Sequence, residues 1–406
     1  MRRPTCRLAL LPALATIAVA CAEPGERSDE IVVRDSAGVV ITENPVARRT
    51  PPQRLTLAPE PDLLIGLEEG PPELLFQWIW DAAPVNDTLL MVVEWMQREV
   101  RLFRSDGGSF VSRFGGAGEG PGEFQIISFA RPLGEDEILL ADGGSQRLTW
   151  WNWRTGEVRT EPIEQSVDGR GVSPMDALAD GTVVGVTGTR GFGPADASTV
   201  IADTMRYYLF EPDGSAGPRI HLLPGRLRWG LQAGGRIGFP FIPFSVDPSM
   251  AVGDDVIYLA TGTEPRVEIF HRSGEKVREL RWDAGDRTPV SDAPLDQLLA
   301  HQVQEAGADE IQLRTLHREA PLPDSLPIFQ SLFVDADGRL WVERYRFPWE
   351  SERRWDLFDR DDRWIGEVVT ERDFDPHHAS GDEVLGVLID EMGIQRMARF
   401  ELQEVD

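Results

Sequence analysis

The chain has 406 residues, two cysteines, and 41 basic against 68 acidic side chains, a formal net charge of −27. So acidic a surface excludes nucleic acid and anionic lipid headgroups as electrostatic partners, because both would be repelled. Cys6 and Cys21 both lie at the N-terminus, so the rest of the chain holds no disulfide, thiolate metal site or cysteine nucleophile.

Taken in chain order, the first element is a leader. Met1-Arg2-Arg3 and Arg7 give a basic start, residues 8–20 are almost wholly apolar or small, and the run ends Ala18-Val19-Ala20-Cys21. This is the layout of a secretory signal over residues 1–20. It is too short to span a bilayer as a mature helix. The small residues before Cys21 resemble a bacterial lipobox, with Ala18 where Leu is usual; an ordinary signal cut nearby is the other reading. The lipobox resemblance implies lipidation of Cys21 and attachment to a membrane through that lipid. Ala22, rather than Asp, then implies an outer-membrane lipoprotein of the cell envelope, facing the periplasm or the cell surface. Loss of Arg2, Arg3 and Arg7 takes the charge to −30. That suits a domain held by its lipid rather than by a basic face. Residues 21–29 are small and charged and read as a tether. Residues 30–406 read as one domain.

Glu30-Ile31-Val32-Val33 and Gly38-Val39-Val40-Ile41-Thr42 are strand-like and precede the repeats. Part of residues 30–58 is expected to close against the last repeat, removing an open sheet edge.

From there a phrase recurs: an acidic or Gly turn, a short apolar strand, a gap, then Arg with apolar or aromatic residues, then another turn. Asp87-Thr88-Leu89-Leu90-Met91-Val92 leads to Arg101-Leu102-Phe103. Asp136-Glu137-Ile138-Leu139-Leu140 leads to Arg147-Leu148-Thr149-Trp150. Further copies start at Asp180, Asp254, Asp337 and Asp382, with Arg206, Arg266, Arg354 and Arg399 opening their second halves. The short steps of about 45 residues suit one four-stranded propeller blade, and the two longer steps imply insertions. Each copy alternates apolar and polar residues as a half-buried antiparallel strand does. The expected fold is all-β, a six-bladed β-propeller with a short helical insertion between blades four and five. A large β-sandwich is the alternative.

Residues 114–124 read Phe-Gly-Gly-Ala-Gly-Glu-Gly-Pro-Gly-Glu-Phe. They lack the Gly-Lys-Ser/Thr and following helix of a phosphate loop, and read instead as a connection between repeats. Gly118-Glu119-Gly120-Pro121-Gly122-Glu123-Phe124, followed by Ile138-Leu139-Leu140-Ala141-Asp142 and Arg147-Leu148, is similar to NHL-type propellers. More closely, the chain resembles the bacterial six-bladed β-propeller lipoproteins. The resemblance covers about residues 65–402 and is strongest over 78–158; copies three and five depart from it. It implies the fold and an extracytoplasmic role in binding a ligand or protein, and it assigns no catalytic residue.

Three insertions could carry function. Residues 187–204 are Gly-rich and polar. Residues 225–244 hold Trp229, Phe239, Phe241 and Phe244, which form either a candidate binding rim or a self-packed loop. Residues 291–326 open with Ser291-Asp292-Ala293-Pro294, a helix start. Leu295, Leu298, Leu299 and Val303 follow at helical spacing, predicting a helix on one propeller face.

No histidine pair has metal-ligand spacing, and no G-x-S-x-G elbow occurs. Asp373, Asp375, His377 and His378 cluster locally, in what reads as an exposed loop, either solvated or holding a metal. Calcium-type propeller lactonases, as a family, place Asn and acidic residues in the central channel; here Asn44, Asn86 and Asn152 are the only asparagines. The expectation is a binding or scaffold module with no cofactor, taking a protein or small ligand at a propeller face. The alternative is a channel-metal hydrolase or lyase. Convergent carboxylates and histidines in the channel would favour the enzyme, and a mixed polar or plugged channel the binding module.

Overall fold

A computed structural model describes residues 30–46, 50–188, 198–233, 236–306 and 310–405. The signal, Cys21, the tether and residues 189–197 of the first insertion lie outside the described residues.

Each copy of the repeated phrase becomes the middle of an antiparallel meander. The apolar run is the second strand and the Arg strand the third, as in Leu89–Glu94 paired with Glu99–Arg104 and Glu137–Asp142 paired with Arg147–Asn152. Second strands are apolar on both faces because both faces are covered. Leu89–Glu94 is buried at every position, whereas the fourth strand Val158–Pro162 is mostly exposed. Meanders over 79–115 and 127–162 form four-stranded sheets, and 166–224 forms a five-stranded one. Residues 249–282 gain two N-terminal strands to make six. Residues 329–371 and 374–404 are joined into one nine-stranded sheet by Arg54–Leu57, which pairs parallel with Trp364–Glu371 and antiparallel with Gln395–Glu404.

Apolar cores lie between consecutive meanders. Leu89 and Met91 meet Ile127 and Ile138; Leu139 and Leu148 meet Val172 and Tyr208; Val184 and Leu209 meet Ile257 and Leu259. Ile269 and Leu280 meet Phe329 and Leu340, and Trp341 and Leu357 meet Val384 and Phe400. Leu385, Val387 and Met397 then return to Leu90, Val92 and Phe103. The arrangement is therefore all-β and propeller-like, the last meander covering the first. Each fully buried Leu, Val or Ile contributes roughly 1.5–3 kcal/mol.

The innermost strand of each meander borders the central channel and leaves one row of backbone groups unpaired. Four of these strands carry proline, at Pro84, Pro132, Pro174 and Pro376. Proline is tolerated on such an edge and blunts it against further pairing.

Part of residues 30–58 closes against the last repeat as expected, and that part is Arg54–Leu57 rather than the strand-like segments ahead of it. Val39–Asn44 does not meet the last repeat; it runs parallel to Lys276–Trp282, the outer strand of the fourth meander. Asn44 holds it there, donating to the carbonyls of Arg281 and Asp362 and accepting from the Trp364 N–H. Arg54–Leu57 and Leu63–Ile65 supply the closing strands beside Gln395–Glu404 instead.

Two helices, Asp292–Ala306 and Glu310–Glu319, lie between the strands Lys276–Trp282 and Phe329–Val334. The sequence reading anticipated only the first. The second buries Leu316 and His317 but leaves Ile311 exposed, which obscures its apolar face.

Candidate functional site

Alternation along an inner strand sends every second side chain toward the channel, and the register shift between Pro376 and His378 breaks that alternation, so that two consecutive residues reach it. Asp81, Arg131, Asp176, His377 and His378 meet there from four strands. His377 Nδ1 lies 3.1 Å from Asp81 Oδ1. Arg131 Nη1 lies 3.8 Å from Asp176 Oδ2, and Nη2 donates to the Val252 carbonyl at 3.2 Å. One guanidinium thus spans from the second meander to the third and fourth. Burial pushes the Asp176 carboxyl up, with Asp81 adding to it, against Arg131 and the Ala177 N–H. Burial disfavours charged His377, yet the hydrogen bond and charge of Asp81, helped by Asp375, hold that imidazole above its ordinary value. Burial, then Arg131, pushes His378 below it. Arg131, Val252, Arg278, Asp335 and His378 line a cavity of about 430 Å³ at one mouth.

The Asp373–His378 cluster is not the exposed loop expected from sequence. Asp375, His377 and His378 lie on the inner strand Phe374–Ser380. They also diverge: Asp375 takes Arg353 at 2.5 Å, and His377 takes Asp81. Among the described residues no group of three His, Cys, Asp or Glu side chains could hold a metal.

The aromatic insertion and the helical insertion each join an outer strand to the next inner strand. All such joins leave on the same side of the ring, so the two insertions meet. Between them is a cavity of about 720 Å³. Its floor is the start of two inner strands, at Ser249 and Met250 and at Ser331 and Leu332. Phe241, Pro243 and Phe244 form one wall, with Leu298, Gln302, Leu316 and His317 of the helices opposite.

The candidate rim residues separate in space. Trp229 is buried with Leu231, Ile242, Leu316 and Ala320, a core that ties the insertion to the second helix. Phe239 is half-buried, and its carbonyl accepts from Arg228 at 3.2 Å. Phe244 is buried against Leu298 and Leu326 at a left-handed φ of 61°, and meets Phe347 edge-on. Phe241 lines the cavity between two guanidiniums, Arg226 at 4.1 Å and Arg228 at 3.9 Å from its ring centroid.

The polar groups of this cleft escaped the sequence reading. His317 is 8% exposed, and neither ring nitrogen has a partner. Burial holds its imidazole below the ordinary value. Gln302 Oε1 and Arg226 Nε are likewise buried without partners. Burial lowers the Arg226 guanidinium, and the charge of Asp247 opposes it. Burial raises the Tyr345 phenol to about 12. No local spacing marks these residues, because they converge only when the two insertions fold together.

No family model matches the chain, and no curated protein matches it. Among solved structures, a member of the DUF4221 family from Bacteroides vulgatus is similar, with a TM-score of 0.50 at 12% identity, covering 86% of this chain and 99% of that one. A gluconolactonase from Xanthomonas campestris gives a TM-score of 0.37 at 13% identity, over 86% and 100%. A streptogramin B lyase gives 0.39 at 10%, over 86% and 98%. The first likeness shows a shared propeller fold.

Proposed function

We propose that this chain is an extracytoplasmic six-bladed β-propeller, anchored to the outer membrane by lipid on Cys21, that binds a small ligand in the cleft between its two insertions. Support for six blades comes from the meanders and from the cores between them, the nine-stranded sheet being two blades sewn together by Arg54–Leu57. The observation that carries the binding reading is the cavity of about 720 Å³ lined by buried His317, whose ring nitrogens have no partner, and by Gln302, whose Oε1 is buried without one. A buried polar group left unpaired costs about 1–3 kcal/mol, and a ligand that supplies the missing partners recovers it. The span of Arg131 across the channel favours this reading over channel chemistry.

The test is native mass spectrometry and thermal shift on the mature domain against a small-molecule panel. A saturating ligand should raise the melting temperature of the wild type and lose its effect in Gln302→Trp, which fills the cleft. A ligand that stabilises both proteins equally would remove the cleft from the reading. Anchoring is tested separately. Cys21→Ser should release the domain as a soluble periplasmic protein, and retention on membranes after a salt wash would sink it. The hydrolase or lyase alternative keeps one specific support, the Asp81–His377 pair beside the raised Asp176 carboxyl. Turnover abolished by His377→Gln with the cleft intact would favour it.

A further inference from the structure

The cleft also carries information about what it takes, on the premise that it is a ligand site. Three observations converge. The first is a doubled positive charge. Arg226 and Arg228 lie on Phe241 at 4.1 and 3.9 Å, which puts two like charges at one ring in a chain of net charge −27; Arg226 is the one that lines the cleft, with the charge of Asp247, also on the lining, acting on it. Stacking on the ring satisfies the guanidinium faces and leaves the N–H edge of Arg226 to meet acceptors in plane. Arg226 Nε is such a donor, buried and without a partner. The second is His317, more than nine-tenths buried on the cleft wall with both ring nitrogens unpartnered. A neutral imidazole there offers one donor and one acceptor to whatever enters. The third is the lining beyond these groups. Pro243, Phe244, Leu298, Leu313 and Leu316 give an apolar surface, and about 720 Å³ falls within the range of roughly 300–1,000 Å³ that small-molecule sites occupy.

We infer that the cleft binds a small amphiphilic anion, an apolar body carrying one anionic head, with the head against Arg226 beside Phe241 and the body along Leu298 and Leu316. A carboxylate and a sulfonate present the same chemistry to the guanidinium: a planar or near-planar pair of oxygens for charge-assisted N–H donors. Polymeric anions are excluded by the overall acidity, which repels a long charged chain while sparing a small ion that reaches the cleft.

The test uses the mature domain and two probes that differ only in the anion: 8-anilinonaphthalene-1-sulfonate and the neutral N-phenyl-1-naphthylamine, both followed by fluorescence. The sulfonate should bind saturably at one site. Arg226→Met should weaken it about tenfold or more, the loss of one charge-assisted hydrogen bond, with Arg226→Lys retaining most of the affinity and the neutral probe unmoved. On unaltered protein, benzoate should displace the sulfonate and benzyl alcohol should not, which keeps the inference testable if Arg226→Met does not fold. Neutral probe bound as tightly as the anion, or both weakened equally by Arg226→Met, would overturn the anion assignment and leave the ligand cleft standing. Failure of both probes to bind would overturn the cleft as well.

Discussion

Arg101→Leu is the sharpest test of how the first meander is held. Arg101 is fully buried. Its Nε donates to Glu99 Oε1 at 2.7 Å, and Nη1 donates to the carbonyls of Glu73 and Leu75 at 3.0 and 2.8 Å. Nη2 donates to Gln97 Oε1 at 3.0 Å, and the guanidinium lies 5.1 Å from the Phe76 ring. One side chain thus ties a central strand to the turn Pro72–Leu74. Leucine would leave the Glu99 carboxylate buried, with only Arg113 in range at 3.9 Å, and would orphan two carbonyls. Removing one member of a buried ion pair costs about 3–5 kcal/mol. The remaining Arg113 argues for the lower end. At an unfolding entropy of about 2.1 cal/mol/K per residue, a loss of about 3 kcal/mol lowers the melting temperature of a domain this size by about 4 °C. Urea unfolding followed by tryptophan fluorescence, with a parallel thermal melt, measures both. Adding Glu99→Gln should recover about 1 kcal/mol or more by removing the stranded charge. A single variant within about 1 kcal/mol of wild type, or a double variant no better than the single, would refute the reasoning.

Three further outcomes are expected. Asp362 sits at φ 62° with Oδ2 buried and unpartnered, and burial pushes its carboxyl to about 6 despite Arg278 at 2.9 Å. A raised carboxyl pKa means stability is lost as pH climbs from the unfolded value, about 4, to about 6. Asp362→Asn, which tolerates positive φ, should therefore gain on wild type between pH 4 and pH 7 and run parallel to it below; a pH-independent difference in melting temperature refutes this. Gly122 has φ 77° and an added Cβ would lie 3.2 Å from the Phe114 ring, whereas Gly120 would meet only the Glu123 carboxylate, with no positive φ. Gly122→Val should cost about 1–2 kcal/mol or more in urea unfolding, and Gly120→Val less; the reverse order would place the constraint wrongly. Deleting residues 22–29 should leave the melting temperature unchanged, while deleting through Thr42 should lower it, because Ile41 and Thr42 are buried at the edge of Lys276–Trp282. Equal melting temperatures would remove any role for these strands.

The repeats were legible because each copy carries the same phrase, and in four of the six the Arg pairs locally. It pairs with the residue two positions earlier, Arg101 with Glu99, Arg266 with Glu264, Arg354 with Glu352, and Arg206 with the Thr204 carbonyl, whereas Arg147 turns to the Glu123 carbonyl and Arg399 to Asp62. Residues i and i−2 share one face of a strand, so the pairing is written into the spacing. The parallel pairing of Val39–Asn44 has no such signature, since its partner is remote and the contact is made by backbone. His377 and His378 were misread as a loop because Asp373, Asp375 and Pro376 look like turn residues. Pro376 survives in a strand there because that strand is a channel edge, with a register shift between Pro376 and His378. The rim aromatics could be picked out by composition, but Trp229 is drawn into the core by Leu316 of a helix whose exposed Ile311 hid its amphipathic face.

The ends of the chain set the order of its assembly. Val40 faces Arg278, Leu55 faces both Val368 and Glu404, and Leu64 faces Ala398. The strands made first are thus the last to find partners, because those partners lie in the final three meanders. Loop closure over such distances is slow and must wait for the C-terminus. Until then Arg54–Leu57 and Leu63–Ile65 are unpaired β-strands, and Val39–Asn44, paired locally with Val32–Ser36, keeps one open edge, the state in which chains join wrongly to one another. Their brevity and the charges Arg34, Asp35, Glu43 and Arg54 limit that hazard. A chain shortened at its C-terminus would lose more than the last strand: it would leave the N-terminal clasp with nothing to fasten.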